Sequence, residues 1–169
     1  MRNINCRYLL AAIIFSIASL SLTTPASAQS KSTEVNKAIA RRVFEEILSQ
    51  GKFEVADEIY SREFVNHGLN RDANLKEDQD SARGWRQAFP DLKITADREI
   101  AEGELVAVLW TGTGTNTGEG VGLPATGKGG KLRGITIWRI VNGKIVEEWS
   151  EFDRLRLMKG LGLLPEPGK

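Results

Sequence analysis

The pattern of apolar and polar positions changes character near the middle of the chain. In the first half, three segments repeat apolar residues at helical spacing and are expected to form helices: Glu34–Gln50, Phe53–Tyr60 and the stretch from Asn74 to Phe89. Gly51 supplies the end of the first helix, and Pro90 ends the third. Asn74 can cap the third helix while Glu77 reaches back to its backbone, which is an Asn variant of the capping box.

The second half of the chain has the period of strands. Four segments after Pro90 are expected to be extended: Leu92–Ala96, Leu105–Thr117, Lys131–Val141 and Lys144–Asp153. Ser61–His67 is expected to be a short strand or an extended turn, and Asn142-Gly143 predicts a tight hairpin. A Gly-rich loop is expected over residues 118–130 and a short last helix over Arg154–Leu164. Helices followed by an antiparallel meander predict an α+β fold whose sheet curls around the helices and leaves a pocket.

The longest predicted strand is apolar on both faces. Its two faces carry Val106, Val108 and Trp110 on one side and Leu105, Ala107 and Leu109 on the other. One face can cover the pocket and the helices, but the other would leave a large apolar patch exposed. In a chain of this length a second copy is the expected cover, so the pattern favours a homodimer.

Residues 1–28 have the order of a secretory leader. Arg2 and Arg7 precede an apolar run from Leu9 to Leu22, and Ala26-Ser27-Ala28 has the small-x-small form of a cleavage site. The run is shorter than the ~20 residues that a spanning helix needs, so an uncleaved anchor is the weaker alternative. Cleavage after Ala28 would leave residues 29–169 as one domain, periplasmic or secreted, with no stable membrane anchor.

Composition excludes several classes of function. The chain has 23 Lys and Arg residues against 22 Asp and Glu residues, which argues against a nucleic-acid surface. Its one Cys, Cys6, lies in the leader, and it has one His, so thiolate chemistry and a zinc site are not expected. The chain also lacks the common phosphate-binding, dinucleotide, zinc-protease and serine-hydrolase motifs. We therefore expect neither a cofactor nor a metal.

A small acid–base set remains on the last predicted strand. A period of two places Ile145, Glu147, Trp149, Glu151 and Asp153 on one face. If that face lines the pocket, burial would make a carboxyl group there a better base near neutral pH. Asp153 could equally cap the last helix, and Glu147 and Glu151 are more typical of ion-paired or solvated groups. His67 lies beside a turn and gains a role only if the fold brings it to the same pocket.

Aromatic residues could line an apolar cavity for a ring-shaped ligand. We expect the ligand contacts to come from Trp149, Trp85, Phe64, Trp138 and Glu151. Ordinary core or dimer packing is the alternative for each Trp, and at least two of the four Trp residues are expected to serve only that.

Several motifs together resemble a known family. Asn142–Trp149, then Asp153, then Leu161–Pro165 are similar to the C-terminal signature of the SnoaL-like polyketide (ester) cyclases. Phe64–His67 is similar to an earlier segment of that family, and Pro124–Lys128 to the loop before its third long strand. The resemblance runs from about Asn36 to Pro165.

The resemblance implies a fold, a chemistry and a site. It implies the cone-shaped α+β barrel of the nuclear transport factor 2-like superfamily, often dimeric. In characterised cyclases a pocket Asp acts as acid and base in an intramolecular aldol closure, without metal or cofactor. By position that role falls to Asp153, with His67 as helper. The expected protein is an exported lyase, isomerase or cyclase acting on a small hydrophobic carbonyl compound, and the alternative is a non-catalytic periplasmic binding or accessory module.

Overall fold

The computed structural model describes residues 26–68 and 70–164. The predicted leader, residues 1–28, lies almost wholly outside these ranges, so its cleavage after Ala28 stays a prediction. Pro165, the last residue of the C-terminal motif, also lies outside them. No helix in the described ranges is long and apolar enough to cross a membrane.

The described chain is a mixed α+β unit, as the sequence predicts. Its α-helices are α1 (Ala26–Arg42), α2 (Val55–Ile59), α3 (Leu75–Ala88) and α4 (Arg154–Gly160), and a π-helical segment, Val43–Leu48, continues α1. Its strands are β1 (Tyr60–His67), β2 (Asp72–Asn74), β3 (Lys93–Glu102), β4 (Leu105–Thr115), β5 (Gly129–Val141) and β6 (Lys144–Phe152).

The end of the first helical segment and the start of α3 lie at the predicted residues, whereas α1 begins at Ala26, well before the predicted start at Glu34. The π-helical continuation of α1 buries Phe44 and Ile47, and the chain then turns at Gly51, whose φ of +73° suits glycine. α3 begins with the predicted capping box. The Asn74 side chain accepts a hydrogen bond from the Glu77 backbone N–H (3.1 Å), and the Glu77 carboxylate accepts one from the Asn74 N–H (3.0 Å).

The six strands form one curved, unclosed sheet in the order β2-β1-β6-β5-β4-β3. Neighbouring strands are antiparallel except β1 and β6, which are parallel. The predicted hairpin turn joins β5 to β6, with φ of +50° at Asn142 and +77° at Gly143. β2 was not predicted, because its three residues pair with the end of β1 and are too few to show a period of their own.

The core lies between the helices and the concave face of the sheet. Buried side chains at alternate positions of β4 and β5 point to it: Val106, Val108, Trp110, Trp138 and Ile140. Phe44 packs against Trp110 and Trp138, with ring centroids 5.9 and 5.1 Å apart respectively. The helices therefore cover one face of the sheet and hold its aromatic residues in place.

A β-bulge in β6 reverses which of its side chains face the core. Across the β5–β6 pair, Ile140 lies opposite Ile145 while Arg139 lies opposite Glu147, so Val146 is an extra residue on β6. Each later side chain changes face, because side chains alternate along a strand. The expectation that Glu147 and the residues that follow it at period two face the pocket is therefore wrong.

The outer face of the sheet carries exposed apolar side chains beside charged ones such as Arg139 and Glu147. Leu105 and Ile135 are 45% and 44% exposed, and Trp149 is 38% exposed. Ala107, Ile137 and Trp149 follow one another across β4, β5 and β6, so the apolar side chains form a continuous patch. The predicted two-faced pattern of the long strand is confirmed, with residues 106, 108 and 110 on the buried side.

Candidate functional site

A cavity of about 180 Å3 lies between the helices and the concave face of the sheet. Aromatic side chains make up much of its wall: Phe44, Tyr60, Trp85, Phe89, Trp110, Trp138 and Phe152. Strands β4, β5 and β6 supply their inward residues, and α3 supplies the opposite wall. This lining can hold a flat apolar molecule by stacking and edge contacts.

Glu148 is the acidic residue that β6 points into this cavity. It is buried, at 8% exposed, and it lies opposite Trp138 in the β5–β6 pair. The indole N–H of Trp138 donates to Glu148 Oε2 at 2.7 Å. Burial, and then the negative charge of Asp78, raise the pKa of Glu148 to about 8. Glu148 is therefore mostly protonated at neutral pH.

Asp78, on the first turn of α3, is the second acid of the cavity. The Asn66 amide nitrogen Nδ2 donates to Asp78 Oδ1 at 2.8 Å, and Gln79 Nε2 donates to Oδ2 at 3.3 Å. Burial raises the pKa of Asp78, and these two hydrogen bonds oppose the rise by favouring the carboxylate. Asn66 Nδ2 also lies 3.4 Å from Glu148 Oε1, so one amide joins the two acids.

The two acids have different surroundings. Hydrogen bonds from the side-chain amides of Asn66 and Gln79 favour the charged form of Asp78 and oppose the rise in its pKa, while burial and the charge of Asp78 raise the pKa of Glu148 to about 8. Two carboxyl groups with such different surroundings at one cavity can serve as a base and an acid in a proton transfer. Tyr60, buried beside both, has a pKa raised well above the usual value by burial and by their charges, so its phenol stays neutral.

A chain of polar side chains holds Glu148 from the other side. Trp110 Nε1 donates to Thr136 Oγ1 at 3.0 Å, and the Thr136 and Ser150 hydroxyls are 2.5 Å apart. Ser150 in turn hydrogen-bonds the Glu148 carboxyl group, which partly opposes the rise in its pKa. The position of the Glu148 carboxyl group is thus fixed by partners on two neighbouring strands.

Of the predicted ligand contacts, Trp85 and Trp138 line the cavity. Phe64 is buried against Tyr60, with ring centroids 4.8 Å apart, and is not part of the lining. Trp149 and Glu151 lie on the outer face of β6 because of the bulge, so their predicted position in the pocket is wrong.

Asp153 lies outside the cavity and is exposed. Its Oδ1 accepts a hydrogen bond from the Arg156 backbone N–H at 2.9 Å, which makes it the N-cap of α4. Of the two roles that the sequence leaves open, the capping role is confirmed, and the predicted position in the pocket is wrong.

His67 also lies on the outer side of the sheet. Its ring stacks on Trp149, with centroids 4.7 Å apart and planes 17° apart. Its Nδ1 is 3.3 Å from Asp72 Oδ1 and its Nε2 is 3.7 Å from Glu147 Oε1. Because its neighbour Asn66 points into the cavity, alternation along β1 turns His67 away from it. The predicted meeting of His67 and the pocket does not occur.

The sequence contained a signal for Asp78 that the motifs obscured. Asp78, Ala82 and Trp85 recur at helical spacing, so the acid interrupts the apolar stripe that α3 turns to the sheet. An acidic residue at such a position is either solvent-facing by a local distortion or part of a cavity.

In the described ranges, no group of three or more His, Cys, Asp or Glu side chains is arranged to hold a metal ion.

The fold and the cavity define a class of protein. A curved, unclosed sheet wrapped on N-terminal helices around an aromatic cavity is the architecture of the nuclear transport factor 2-like superfamily. Within that class, the family model for SnoaL-like polyketide cyclases matches residues 38–161, and the chain belongs to this family. The family expectation from the sequence motifs is confirmed.

Solved structures share this fold. AclR from Streptomyces galilaeus, a proposed hydroxylase, is 26% identical, with 81% of this chain and 87% of that chain covered and a TM-score of 0.73. A proposed SnoaL-like polyketide cyclase from Jannaschia sp. CCS1 is 21% identical, with 79% and 95% covered and a TM-score of 0.71. IdmH from Streptomyces antibioticus, a proposed polyketide cyclase, is 22% identical, with 75% and 98% covered and a TM-score of 0.66. Among curated proteins, no relative was found.

Proposed function

We propose that this protein is a cofactor-independent acid–base enzyme that acts on a small hydrophobic carbonyl compound bound in the cavity. The observation that carries the proposal is the pair of acids, Asp78 and Glu148, joined by Asn66 at one aromatic cavity. The membership of the chain in a family named for cyclases supports it. The acid pair replaces Asp153 and His67 as the groups assigned to the chemistry.

The proposed reaction begins with proton transfer to Asp78. Its carboxylate removes a proton from the carbon next to the substrate carbonyl, and the C–H bonding pair becomes the enolate. Glu148 donates its proton to the carbonyl oxygen, so that a neutral enol forms as Asp78 becomes protonated and Glu148 ionises. For isomerisation, Asp78 returns its proton to another carbon of a conjugated enol, while the enol O–H returns its proton to Glu148 and the carbonyl re-forms. For ring closure, the enol carbon attacks a second carbonyl of the same molecule and a C–C bond forms. The new alkoxide then takes the proton from Asp78 and the enol O–H returns its proton to Glu148, so both acids regain their starting states.

The rate enhancement expected of such a pair is limited. General acid–base catalysis raises the reaction rate by ~10²–10⁴-fold, and the rest of the rate enhancement must come from the orientation of the substrate between the aromatic walls. Trp138 and Ser150 aid orientation indirectly, because they fix the Glu148 carboxyl group in one position.

A panel of aromatic and lactone-type carbonyl compounds tests the proposal. Compounds that raise the melting temperature of the mature protein are incubated with it, and products are followed by mass spectrometry. Asp78→Asn should abolish turnover while binding persists, since the amide keeps the shape but cannot accept the proton. Asp80→Asn is the matched control, because Asp80 lies on the same helix, exposed and paired with Lys76. Binding without product in the wild-type protein, unchanged in Asp78→Asn, would instead identify a non-catalytic binding module.

We propose that the protein works as a homodimer joined through the outer face of the sheet. The outward row of half-buried Ala107 and Ile137 with exposed Trp149, flanked by exposed Leu105 and Ile135, supports this, since apolar patches on a surface often mark an interface. A two-fold pair would bury the same patch on both copies.

We propose in addition that the protein is exported. The support is the order of charged, apolar and small residues over positions 1–28. N-terminal sequencing of protein from an exporting host should find Gln29 as the first residue. A chain that retains residues 1–28 in the membrane fraction would contradict export of a cleaved form.

A further inference from the structure

The cavity has a polar end and an apolar end, and the register of the strands sets them apart. At the polar end, Asn66 lies opposite Glu148 across β1 and β6, and Glu148 lies opposite Trp138 across β6 and β5. Thr136 and Ser150 form the next inward-facing pair along the sheet. Beyond them, the inward-facing neighbours carry no acid or hydroxyl group: Phe152, Gly134 and Trp110, then Leu132 and Gly112, then Gly130 and Gly114.

The helix that covers the sheet runs between the same two ends. Asp78, in the first turn of α3, accepts the hydrogen bond from Asn66 at the polar end. Phe89, the C-cap of α3, lies at the apolar end, because a Cβ on Gly114 or on Gly130 would be only 3.2 or 3.1 Å from its side chain. The eleven positions from Asp78 to Phe89 correspond to about 16 Å at ~1.5 Å per residue. Both residues line the cavity, so it is elongated and polar at one end only.

Gly112 leaves open a space in the apolar end that a larger residue would fill. It lies between Ile94 on β3 and Leu132 on β5. A Cβ on Gly112 would be 3.2 Å from Ile94 Cδ1 and 3.8 Å from Leu132 Cβ, and these three residues all line the cavity. Gly112 is not one of the glycines with positive φ, so its backbone does not require glycine. What the glycine provides here is space next to the ligand.

The volume and the walls of the cavity suit a flat molecule. A dry cavity of about 150 Å3 in an engineered core holds one benzene ring. The cavity here, of about 180 Å3, is somewhat larger, and its aromatic walls match one ring with substituents or two fused rings. Because the cavity is elongated, a second ring fits where it continues the long axis of the first, and not where it projects sideways.

We infer that the substrate binds lengthwise, with its carbonyl group at the acid pair and a slender apolar part that extends towards Gly112, and that Gly112 is a specificity-determining residue. The inference rests on the proposed function for the place of the carbonyl group. The reverse orientation would bury the carbonyl oxygen among Phe89, Leu132 and the glycines, whose side chains offer it no hydrogen-bond donor. The substrate class is thus an elongated aryl or fused-ring ketone.

Two isomeric ketones test the shape of the ligand. In 2-acetonaphthalene the second ring continues the axis from the carbonyl group through the first ring, and in 1-acetonaphthalene it projects sideways. The two compounds contain the same atoms, so their difference in affinity reports shape. Calorimetry on the mature wild-type protein should find that 2-acetonaphthalene binds at least about tenfold more tightly, the lower end of the discrimination that one misplaced methylene group causes in an apolar pocket.

A variant at Gly112 tests the place of the second ring. Gly112→Ala should lower the affinity for 2-acetonaphthalene about tenfold, while acetophenone, which lacks the second ring, should change by no more than a few-fold. Gly129→Ala is the matched control, because Gly129 begins the neighbouring strand, is exposed, is not part of the lining, and a Cβ there would meet no atom within 4 Å. Far-ultraviolet circular dichroism checks the fold of both variants, and the comparison of the two isomers needs no variant.

The orientation is measured with 6-bromo-2-acetonaphthalene, which carries its bromine at the end opposite the carbonyl group. Crystals of the wild-type protein are soaked with this compound, and the anomalous scattering of bromine locates that end. The bromine should lie at the apolar end, near Gly112 and Leu132. A bromine beside Glu148 or Asp78 would show the reverse orientation and overturn the inference.

Other results would also overturn it. These are equal affinity for the two acetonaphthalenes, an unchanged preference in a folded Gly112→Ala, or no binding of any of the four ketones. None of these readouts depends on turnover. A bromine at the apolar end without any product would leave this inference standing and count against the enzyme, whereas a bromine at the acid pair in a protein whose turnover is lost in Asp78→Asn would overturn the inference alone.

Discussion

Glu147 and Glu148 are neighbours in the sequence, yet they lie on opposite faces of β6 and in opposite electrostatic environments. Glu147 faces outward, where a hydrogen bond from Arg139 Nε (2.6 Å) lowers its pKa. Glu148 faces the aromatic cavity, where burial and the charge of Asp78 raise its pKa to about 8. Two identical side chains thus become an ion-pair partner and a buried acid. What decides their chemistry is the face of the sheet, and that face is decided by the extra residue Val146.

The largest expected difference between the two residues is in turnover. Glu148→Gln should lower kcat by about 10²–10⁴-fold, because the amide cannot donate the proton that the enol oxygen requires. Glu147→Gln should change kcat by no more than a few-fold, since that side chain does not reach the cavity. Steady-state kinetics of both variants, on a substrate found in the panel screen, measure this difference in kcat. Comparable losses in both variants would mean that the face of the sheet does not decide function.

The second-largest expected difference between Glu148 and Glu147 is in how each makes the unfolding free energy depend on pH. A folded-state pKa of about 8 at Glu148, against an ordinary value of 4.5, means that folding favours the protonated form. The contribution of protonated Glu148 to the stability of the folded state is fully present below pH 4.5 and is lost as pH rises towards 8. We expect wild-type unfolding free energy to fall by the order of a few kcal/mol over this range, and the fall to be much smaller in Glu148→Gln. Urea unfolding at pH 5 and pH 8 measures it.

Glu147 should have the opposite effect on how the unfolding free energy changes with pH. Its folded-state pKa is lowered, so its ion pair stabilises the protein above the ordinary carboxyl pKa and is lost on acidification. Glu147→Gln should therefore leave the decline between pH 5 and pH 8 intact. A flat wild-type profile over that range would contradict the account of Glu148.

A charged substitution on the apolar patch of the outer face should also change the oligomeric state, while one on another exposed apolar residue should not. Ile135→Lys, on the exposed apolar patch, should give a folded monomer, because the lysine would place an unpaired charge in an apolar interface on both copies. Leu155→Lys is the control, since Leu155 is an exposed apolar residue on α4 and not on the sheet. Sedimentation at micromolar concentration is the measurement. A wild-type protein that sediments as a monomer would remove the proposed dimer.

The smallest expected effect is at Asp153. Asp153→Ala removes the N-cap of α4 and should lower the unfolding free energy by about 1 kcal/mol. Its kcat should stay within a few-fold of wild type, because the side chain lies outside the cavity. Thermal unfolding and kinetics together test this. A loss of turnover as large as that of Glu148→Gln would return Asp153 to the chemistry.

Local patterns were enough to predict the main helices and strands, though not β2, and they did not predict the site. The capping box at Asn74 and the Asn142-Gly143 turn are set by neighbouring residues, so the sequence reveals them directly. The bulge at Val146 depends on pairing with β5, which no period within β6 can show. Because of this unpredicted bulge, Trp149 faces away from the pocket and Glu148 faces into it.

The missed acid on α3 has a different cause. Asp78 lies in the apolar stripe of the helix, but its role depends on Asn66 and Glu148, which come from two other elements. Such a meeting is a property of the folded sheet. The sequence shows that Asp78 is a charged residue at an apolar position of the helical pattern, while only the structure shows its partners.

The protonation state of Glu148 is the central claim, and carbon NMR of a protein labelled at the Glu side-chain carboxyl carbons measures it directly. Titration from pH 4 to pH 10 should show one Glu carboxyl signal with a midpoint near 8, and that signal should be absent from Glu148→Gln and unchanged in Glu147→Gln. If every Glu carboxyl in the wild-type protein titrates below pH ~5, as in unperturbed peptides, Glu148 is an ordinary carboxylate and the proposed acid–base pair is wrong.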